Sequence, residues 1–294
     1  MRYAATIGMF DGVHRGHRFV LTQLVEHARQ RGLLPMAITF DRSPRQEQVL
    51  TPLTEKLRLI RQCGVERVEV LPFTAELKSL SACLFMERVL RDRLGVTLLL
   101  TGFDNRFGHR PDTAVDGRDE GFEDYVGYGR QIGIDVVGLP PEGSVSSSLI
   151  RQLLSEGHVA EAADCLGHRY TIGGRVAHGE HIGTGLGFPT ANLVADDQRQ
   201  LIPASGAYAV TAETRGGTFA AMMNIGTRPT FGGRSTTLEV NLLHHSEDLY
   251  DQPLTVAFVS RLREERRFDS AEALVCQLRQ DAAAAEAVLR DHTE

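Results

Sequence analysis

The feature that most constrains the fold is an alternation, over residues 3–157, of short apolar runs with amphipathic segments of helical spacing. In the first such segment, Val20, Leu24 and Ala28 recur four residues apart, and Gly32 is placed to end the helix. Five strand-like runs alternate with helices in this way. The pattern predicts an α/β domain built on a doubly wound parallel sheet.

The pattern changes near Gly167, where runs punctuated by glycine begin. From Tyr170 to Ser260 these runs are typical of antiparallel strands, and Gly216 with Gly217 between two of them indicates a hairpin. A closed barrel is the usual way for such strands to avoid open edges. The sequence therefore predicts a small antiparallel β-barrel in the second half of the chain.

A terminal helix is predicted over residues 269–290, after the last strand-like run. Asp269 and Glu272 have the spacing of a capping box, which would mark where this helix begins. At 294 residues the chain is longer than one small core usually organises. Together with the change of pattern near Gly167, this length predicts two domains, residues 1–166 and 167–294, and a single large α/β domain is the alternative.

Composition narrows the classes of function. The net charge of −6 at pH 7 gives no support to a nucleic-acid interface. The cysteines lie far apart with no CxxC pair, so neither a zinc site nor a disulfide framework is predicted. No apolar run is long enough to cross a bilayer, and the residues before the first motif are too few for a targeting peptide. These observations predict a cytoplasmic protein that acts on small molecules, and they leave protein partners open.

The first candidate site is the stretch GMFDGVHRGH, which follows the first predicted strand. Gly8 and Gly12 would allow a sharp turn into the helix, and Gly16 would let a ligand approach the backbone at the helix N-terminus, where phosphates bind. His14 and His17 are three residues apart and can direct donors at one phosphate. Two exposed loop histidines, or a metal site with no third ligand nearby in sequence, are the alternatives.

This stretch resembles the first motif of the HxGH nucleotidyltransferases, in the form that bacterial flavin adenylyltransferases carry. The resemblance implies that His14 and His17 are catalytic. It also implies that Phe10 and Asp11, together with the three glycines of the motif, bind the nucleotide.

Two later segments are similar to segments of the same family. TGFDNRFG resembles the loop after the fourth strand, which implies that Asp104 contacts the flavin or the adenine side. SVSSSLIR is similar to a segment whose serines cap a helix and whose arginine holds the triphosphate. Ser146, Ser147, Ser148 and Arg151 would then bind the β- and γ-phosphates of ATP, with Arg151 also stabilising the leaving group. A serine run before a helix can also be a cap alone.

The second candidate site contains the stretch GTGLGFPTANL. Gly185 and Gly187 would form a loop over phosphates, which Pro189 would stiffen. Thr190 and Asn192 would supply oxygen ligands of the kind that magnesium accepts. The alternative is a glycine-rich turn before a strand. The stretch resembles the PTAN motif of riboflavin kinases, a family with the same kind of barrel.

The stretch TTLEVNLL alternates apolar and polar residues with a period of two. This period places Leu238, Val240 and Leu242 on one face of a strand and Glu239 with Asn241 on the other. A kinase acting on a primary alcohol needs a carboxylate to orient the hydroxyl or accept its proton. Glu239 is the candidate for that base, and an exposed strand glutamate is the alternative.

The flanking segments NIGTRPTFGG and DLYDQPLTVAFVSRLREERRF also resemble riboflavin kinases, so the resemblance covers nearly the whole chain. It implies a prokaryotic-type bifunctional FAD synthetase, which phosphorylates riboflavin to FMN and then transfers an adenylyl group from ATP to FMN, releasing FAD and pyrophosphate. Magnesium would serve both steps. Asn241 and Arg263 would contact the flavin in the kinase domain.

Several positions depart from the family pattern. Ser43 and Asn241 stand where histidine is common, and Asp251 stands in place of a glycine.

One alternative function is a chain that keeps one of the two activities, with the other domain as a flavin-binding scaffold or sensor. A flavin-binding regulatory protein is a second alternative, against which the retained histidines and Glu239 argue. A nucleotidyltransferase acting on another phosphorylated alcohol is the third, and the PTAN motif argues against it.

Overall fold

The structure is a computed structural model, and it describes residues 1–42, 48–102, 107, 120–140, 143–178, 187–230, 233–245 and 249–290. The chain divides into two compact units, Met1–Ser147 and Ser148–Glu294. None of the described helices combines the length and the apolarity that crossing a bilayer requires.

The described part of the first unit contains a five-stranded sheet: β1 Tyr3–Ile7, β2 Leu34–Phe40, β3 Arg67–Leu71, β4 Val96–Thr101 and β5 Asp135–Gly138. The strands are parallel and lie in the order β3-β2-β1-β4-β5. The order reverses between β1 and β4, so the loops that follow these two strands leave in opposite directions. Open α/β sheets bind their ligands in the crevice that forms at this point.

Helices cover both faces of the sheet: α1 Arg15–Arg31, α2 Leu53–Gln62, α3 Ala75–Ser79, α4 Ala82–Leu84, its π-helical continuation Phe85–Arg93, and α5 Phe122–Ile132. One face packs against the apolar stripe of α1, including Leu21, Leu24 and Ala28. The other packs against the π-helical segment. Gly32 ends α1 in the left-handed conformation (φ 63°), as predicted. The predicted doubly wound parallel sheet is thus confirmed.

The second unit is a barrel preceded by two helices. The helices are α6 Ser147–Glu156, in which the division between the units falls, and α7 Val159–Leu166. The strands are β6 Thr171–Ala177, β7 Ala191–Ala195, β8 Gly206–Thr214, β9 Gly217–Thr230, β10 Gly233–Leu242 and β11 Pro253–Glu264. They close in the antiparallel order β10-β7-β6-β11-β8-β9, which confirms the predicted barrel.

Two turns of the barrel contain residues with a positive φ angle. The hairpin predicted at Gly216 and Gly217 joins β8 to β9, with Gly217 at φ 132°. Asp251, where the resemblance expects a glycine, has a left-handed backbone at φ 59°. Its carbonyl accepts a hydrogen bond from Arg175 Nη1 at 3.0 Å. An aspartate therefore occupies a conformation that glycine adopts at lower energy.

The terminal helix, α8, spans Ala271–Leu289 and packs against the barrel through Ala285 and Leu289. The predicted cap at Asp269 is wrong by one residue. Ser270 is the extended residue directly before the helix, so its Oγ can reach the N–H of Ala273 at 3.1 Å. The predicted domain boundary at residue 166 stays a prediction.

Candidate active sites

The turn between β1 and α1 has an unusual backbone. Phe10 at φ 48° and Val13 at φ 39° are non-glycine residues in the left-handed region, and Gly12 lies between them at φ 83°. Such conformations cost of order 1–3 kcal/mol each for residues with side chains and persist where the surroundings hold them. Both side chains are buried in the core beneath α1 and α2, which supplies that support. Strain held in this way is common at functional sites.

The glycines of the turn act in different ways. Gly12 supplies the left-handed residue that the predicted sharp turn requires. Gly8 makes room, because a Cβ atom there would lie 3.2 Å from the ring of Phe10. A Cβ atom at Gly16 would lie 3.4 Å from the ring of His14. Gly8 and Gly16 therefore allow the side chains of the motif to approach the backbone closely.

The two histidines of the motif lie together at the start of α1. His14 is the N-cap, and its Nδ1 accepts the backbone N–H of His17 at 3.4 Å. The two rings stack with centroids 3.6 Å apart, and the rings of Phe10 and His17 are edge-to-face with centroids 5.3 Å apart. Because His14 Nδ1 accepts a hydrogen bond, the neutral ring carries its proton on Nε2. His14 can therefore donate from Nε2 to a ligand.

His17 is held in its neutral form. Burial lowers its pKa well below the ordinary value, and the nearby charges of His14 and Lys56 lower it further. Its Nδ1 is buried and has no hydrogen-bond partner among the described residues. A neutral imidazole with an unpaired polar atom at a helix N-terminus is suited to contact a phosphate.

Asp11 fastens the turn to its surroundings. Its carboxylate accepts the backbone N–H of Leu50 at 3.0 Å and of Thr51 at 3.2 Å, just before α2. Its carbonyl accepts the hydroxyl of Ser147, the last residue of the first unit, at 2.9 Å. The observed bonds of Asp11 are thus to the protein itself, and its role in nucleotide binding stays a prediction.

The predicted phosphate-binding serines lie at the start of α6. Ser146 and Ser148 are exposed, whereas Ser147 is half-buried and bonded to the turn. Arg151 follows Ser147 about one turn later on the same helix. The division between the compact units falls between Ser147 and Ser148, so Arg151 belongs to the second unit.

In the loop after β4, the structure describes Gly102 and Phe107. The ring of Phe107 stacks on that of Tyr125 of α5, with centroids 4.3 Å apart. The N–H of Phe107 donates to the hydroxyl of Tyr125 at 3.2 Å, which fixes this part of the loop on the core. Asp104 of the same loop, Ser43 after β2, and Gly185 before β7 lie outside the described residues.

Lys56 of α2 is a residue of this site that the sequence analysis missed. It is 6% exposed, and its Nζ donates to the carbonyl oxygens of Met9 at 3.2 Å and Phe40 at 3.1 Å. Its spacing in the sequence could have indicated burial. Lys56 lies three residues before Leu59 and four before Ile60, which places it on the buried stripe of α2.

The second candidate site is a cavity of about 260 Å³ in the barrel unit. Its lining includes Thr190, Glu239, Asn241 and Arg263, all of which the sequence analysis singled out. Asn192 of β7 lies opposite Glu239 in the antiparallel register. The cavity therefore brings together four of the predicted kinase-site residues, and strand pairing places Asn192 opposite one of them.

The PTAN segment is attached to the cavity wall. Asn241 is buried, and its Nδ2 donates to the carbonyl of Pro189 at 2.7 Å. Gly187 adopts φ 81°, the left-handed region, at the turn just before. The bond to Pro189 positions Thr190 at the edge of the cavity. Asn241 is thus a structural support of the motif, and its contact with flavin stays a prediction.

Arg263 forms a bidentate ion pair with Asp281 of α8, with Nη2 and Oδ2 2.8 Å apart and Nε and Oδ1 3.1 Å apart. Asp281 is 4% exposed and also accepts from Gln277 at 2.7 Å. The pair fastens α8 to β11 within the cavity wall. The predicted contact between Arg263 and flavin stays a prediction.

Glu265 also lines the cavity and was missed by the sequence analysis. Its Oε1 accepts the backbone N–H of Thr227 at 3.2 Å. Thr227 lies on β9 beyond the pairing with β8, which ends at Ile225, so the carboxylate takes the place of a strand partner. The charged run REERRF carries no local signal for this contact, which joins residues 38 positions apart.

The side-chain oxygens of Thr190 and Asn192 are of the kind that a nucleotide-bound magnesium ion accepts. Magnesium usually keeps several waters and substrate phosphates and takes only one or two protein oxygens. Thr190 and Asn192 offer such oxygens, and Glu239 is directly opposite Asn192. Among the described residues, no cluster of three or more histidine, cysteine, aspartate or glutamate residues could hold a metal by itself.

Comparisons with known proteins match both halves of the chain to known families. A family model for FAD synthetase matches residues 1–142, and one for riboflavin kinase matches residues 166–289. A bifunctional riboflavin kinase/FMN adenylyltransferase of Pseudomonas fluorescens is 40% identical over 97% of this chain and 92% of its own length. The Escherichia coli K12 protein of the same description is 38% identical over 94% of this chain and 89% of its own.

A crystal structure of a macrolide-efflux protein from Streptococcus pneumoniae superimposes with a TM-score of 0.85 at 30% identity. The match covers 97% of this chain and 94% of that one, so the two-unit architecture is shared along almost the full length. The family models and the full-length relatives together confirm the family that the motifs indicated. The chain belongs to the bifunctional riboflavin kinase/FMN adenylyltransferase family.

Proposed function

We propose that this chain phosphorylates riboflavin to FMN with one ATP and then transfers the adenylyl group of a second ATP to FMN, giving FAD and pyrophosphate. The observation that carries the proposal is that one chain contains both a histidine pair at a strained βα turn and a barrel cavity lined by Glu239 and Thr190. We assign the adenylyl transfer to residues 1–166 and the phosphorylation to residues 167–294.

In the adenylyl transfer, an oxygen of the FMN phosphate attacks the α-phosphorus of ATP. The bond from that phosphorus to the oxygen bridging to the β-phosphate breaks, and pyrophosphate leaves. Negative charge grows on the α-phosphate oxygens and on the leaving group. His14 donates from Nε2 and the neutral His17 donates beside it, at the positive end of α1. One such donor typically contributes on the order of a hundredfold to a thousandfold in rate.

The remaining contacts of that step are assigned from the motifs. Ser146, Ser147, Ser148 and Arg151 hold the β- and γ-phosphates, because hydroxyls at a helix N-terminus and a cation one turn later suit a polyphosphate. Asp104 contacts the flavin or the adenine side.

In the phosphorylation, the 5′-hydroxyl of the ribityl chain attacks the γ-phosphorus of ATP and ADP leaves. Glu239 orients this hydroxyl and accepts its proton, since the carboxylate lies on the cavity wall. Thr190 and Asn192 would hold magnesium, which when bound neutralises charge on the nucleotide phosphates. Arg263 and Asn241 border the flavin, each held in place by its bond to the protein.

The experiment is a time course with purified protein, riboflavin, ATP and magnesium, with the flavins separated by chromatography. FMN should appear first and FAD later. A parallel reaction started from FMN isolates the second step, and added EDTA should stop both steps. FMN without FAD would support the alternative in which the first domain is a scaffold. No product from either substrate would support a flavin-binding protein.

We also propose that the chain acts in the cytoplasm, where ATP is available, with small molecules as its substrates. Fractionation of cells that produce the protein tests the location, since both activities should be recovered in the cytoplasmic fraction. Recovery in the membrane fraction would contradict it.

A further inference from the structure

Lys56 occupies an unusual place for a charged side chain. The chain contains two lysines, and Lys56 is the buried one, at 6% exposed, whereas Lys78 is exposed. Burying an ammonium group is costly unless its charge and its donors are satisfied. Its nearest bonding partners are two backbone carbonyl oxygens. We therefore expect these two hydrogen bonds to hold part of the backbone in a specific conformation.

The two carbonyls lie at the carboxyl ends of neighbouring strands. Phe40 is the last residue of β2, and Met9 lies two residues beyond the end of β1. The carbonyl of Met9 also accepts the hydroxyl of Thr39, at 3.2 Å. Two donors from different elements, Lys56 and Thr39, thus fix the orientation of the peptide group between Met9 and Phe10.

That peptide group sets the direction of the strained residue after it. Phe10 holds φ 48°, and its ring is edge-to-face with the ring of His17, with centroids 5.3 Å apart. A left-handed phenylalanine is retained only when its surroundings hold it. The contacts therefore run from Lys56 to the Met9 carbonyl, to Phe10 and then to the His17 ring.

The charge of Lys56 also affects the pKa of His17. Burial of His17 is the main cause of its lowered pKa, with His14 second and Lys56 third. Burial likewise lowers the pKa of Lys56, while Asp11 and Asp41 act in the opposite direction. The two carboxylates thus favour the charged lysine at this position.

We propose that Lys56 is a positioning residue for adenylyl transfer, which holds the Met9 carbonyl and thereby keeps Phe10 and His17 in the geometry that faces the α-phosphate. This inference rests on the proposed function of the first unit. Lysine suits the place because its compact ammonium group fits between two carbonyls, whereas the planar fork of arginine suits carboxylates and phosphates.

The test compares Lys56→Met with Lys78→Met, the matched control at the other lysine. Conversion of FMN to FAD is measured well below the unfolding midpoint of each variant. We expect Lys56→Met to lower kcat by about a hundredfold with little change in KM for ATP, since a small misplacement of a catalytic group has this effect. Lys78→Met should match the wild type. Riboflavin phosphorylation should be unchanged in both.

Two further variants keep the test decisive if Lys56→Met does not fold. Lys56→Arg keeps the charge and the donors and should retain more activity than Lys56→Met. Thr39→Val removes the other donor to the Met9 carbonyl and should lower kcat by about fivefold, the loss of one neutral hydrogen bond. Wild-type kcat in the folded Thr39→Val and Lys56→Met variants would overturn the proposal, as would equal loss of the kinase activity.

A second readout does not depend on turnover. The ring nitrogens of His17, followed by NMR in the full chain, should shift in Lys56→Met and stay unchanged in Lys78→Met. Unchanged His17 signals in a folded Lys56→Met protein would overturn the link. A wild-type protein that makes no FAD from FMN would instead contradict the proposed function, and the NMR comparison would still decide whether Lys56 positions His17.

Discussion

The two candidate sites reach their geometry by different means. In the first unit, the histidine pair comes from one turn, which contains left-handed residues and a carbonyl group that accepts hydrogen bonds from Lys56 and Thr39. In the barrel, Glu239 and Asn241 project from one strand, and the register with neighbouring strands places them. The turn should therefore be sensitive to changes in residues that hold its backbone. The barrel should be sensitive mainly to residues that touch the ligand or fasten α8.

The largest expected effect is the loss of one activity, and not the other, when a histidine of the pair is replaced. His17→Ala should lower conversion of FMN to FAD by about a thousandfold, because it removes a donor to the charge that develops on the α-phosphate. Riboflavin phosphorylation should proceed at the wild-type rate. Both rates are measured by flavin chromatography, with His27→Ala on the same helix as the control. Equal loss of both activities in a folded variant would contradict separate sites.

The reciprocal change is Glu239→Gln in the barrel. Phosphorylation of riboflavin should fall by about a hundredfold, since the amide cannot accept the hydroxyl proton. FMN supplied directly should still be converted to FAD. Glu213→Gln, at an exposed position on β8, is the matched control. Phosphorylation at the wild-type rate would remove Glu239 from the mechanism.

The comparison also explains how much could be predicted from sequence. Strand and helix periods depend on residues close in the chain, so the parallel sheet, the barrel and the face shared by Glu239 and Asn241 were predicted. Lys56 and Glu265 were missed because their partners are 47 and 38 residues away, and no local pattern encodes such contacts. The carboxylate that engages Arg263 lies 18 residues further along the chain, beyond the segment that suggested a flavin contact.

A smaller effect is expected where α8 is fastened to the cavity wall. Asp281→Asn should lower the free energy of unfolding of the barrel unit by about 2 kcal/mol, because it weakens a buried, charged and bidentate hydrogen bond to Arg263. It should also raise KM for riboflavin while leaving conversion of FMN to FAD unchanged. Denaturant unfolding and steady-state kinetics measure the two effects.

The control for Asp281→Asn is Glu286→Gln, which breaks the exposed pair of Glu286 with His244. Such a pair contributes about 0–1 kcal/mol, so this variant should be nearly as stable as the wild type. Equal stability of both variants would show that the buried pair does not fasten α8.

The smallest expected effect concerns the start of α8, where sequence and structure disagree by one residue. Ser270→Ala should lower the free energy of unfolding by about 1 kcal/mol, since it removes the acceptor for the N–H of Ala273. Asp269→Ala should change it little, because Asp269 precedes the cap. Denaturant unfolding of the two variants side by side gives the difference. If Asp269→Ala lowered the free energy of unfolding more than Ser270→Ala, Asp269 would be the N-cap, as the capping-box spacing indicated. The helix would then begin one residue earlier.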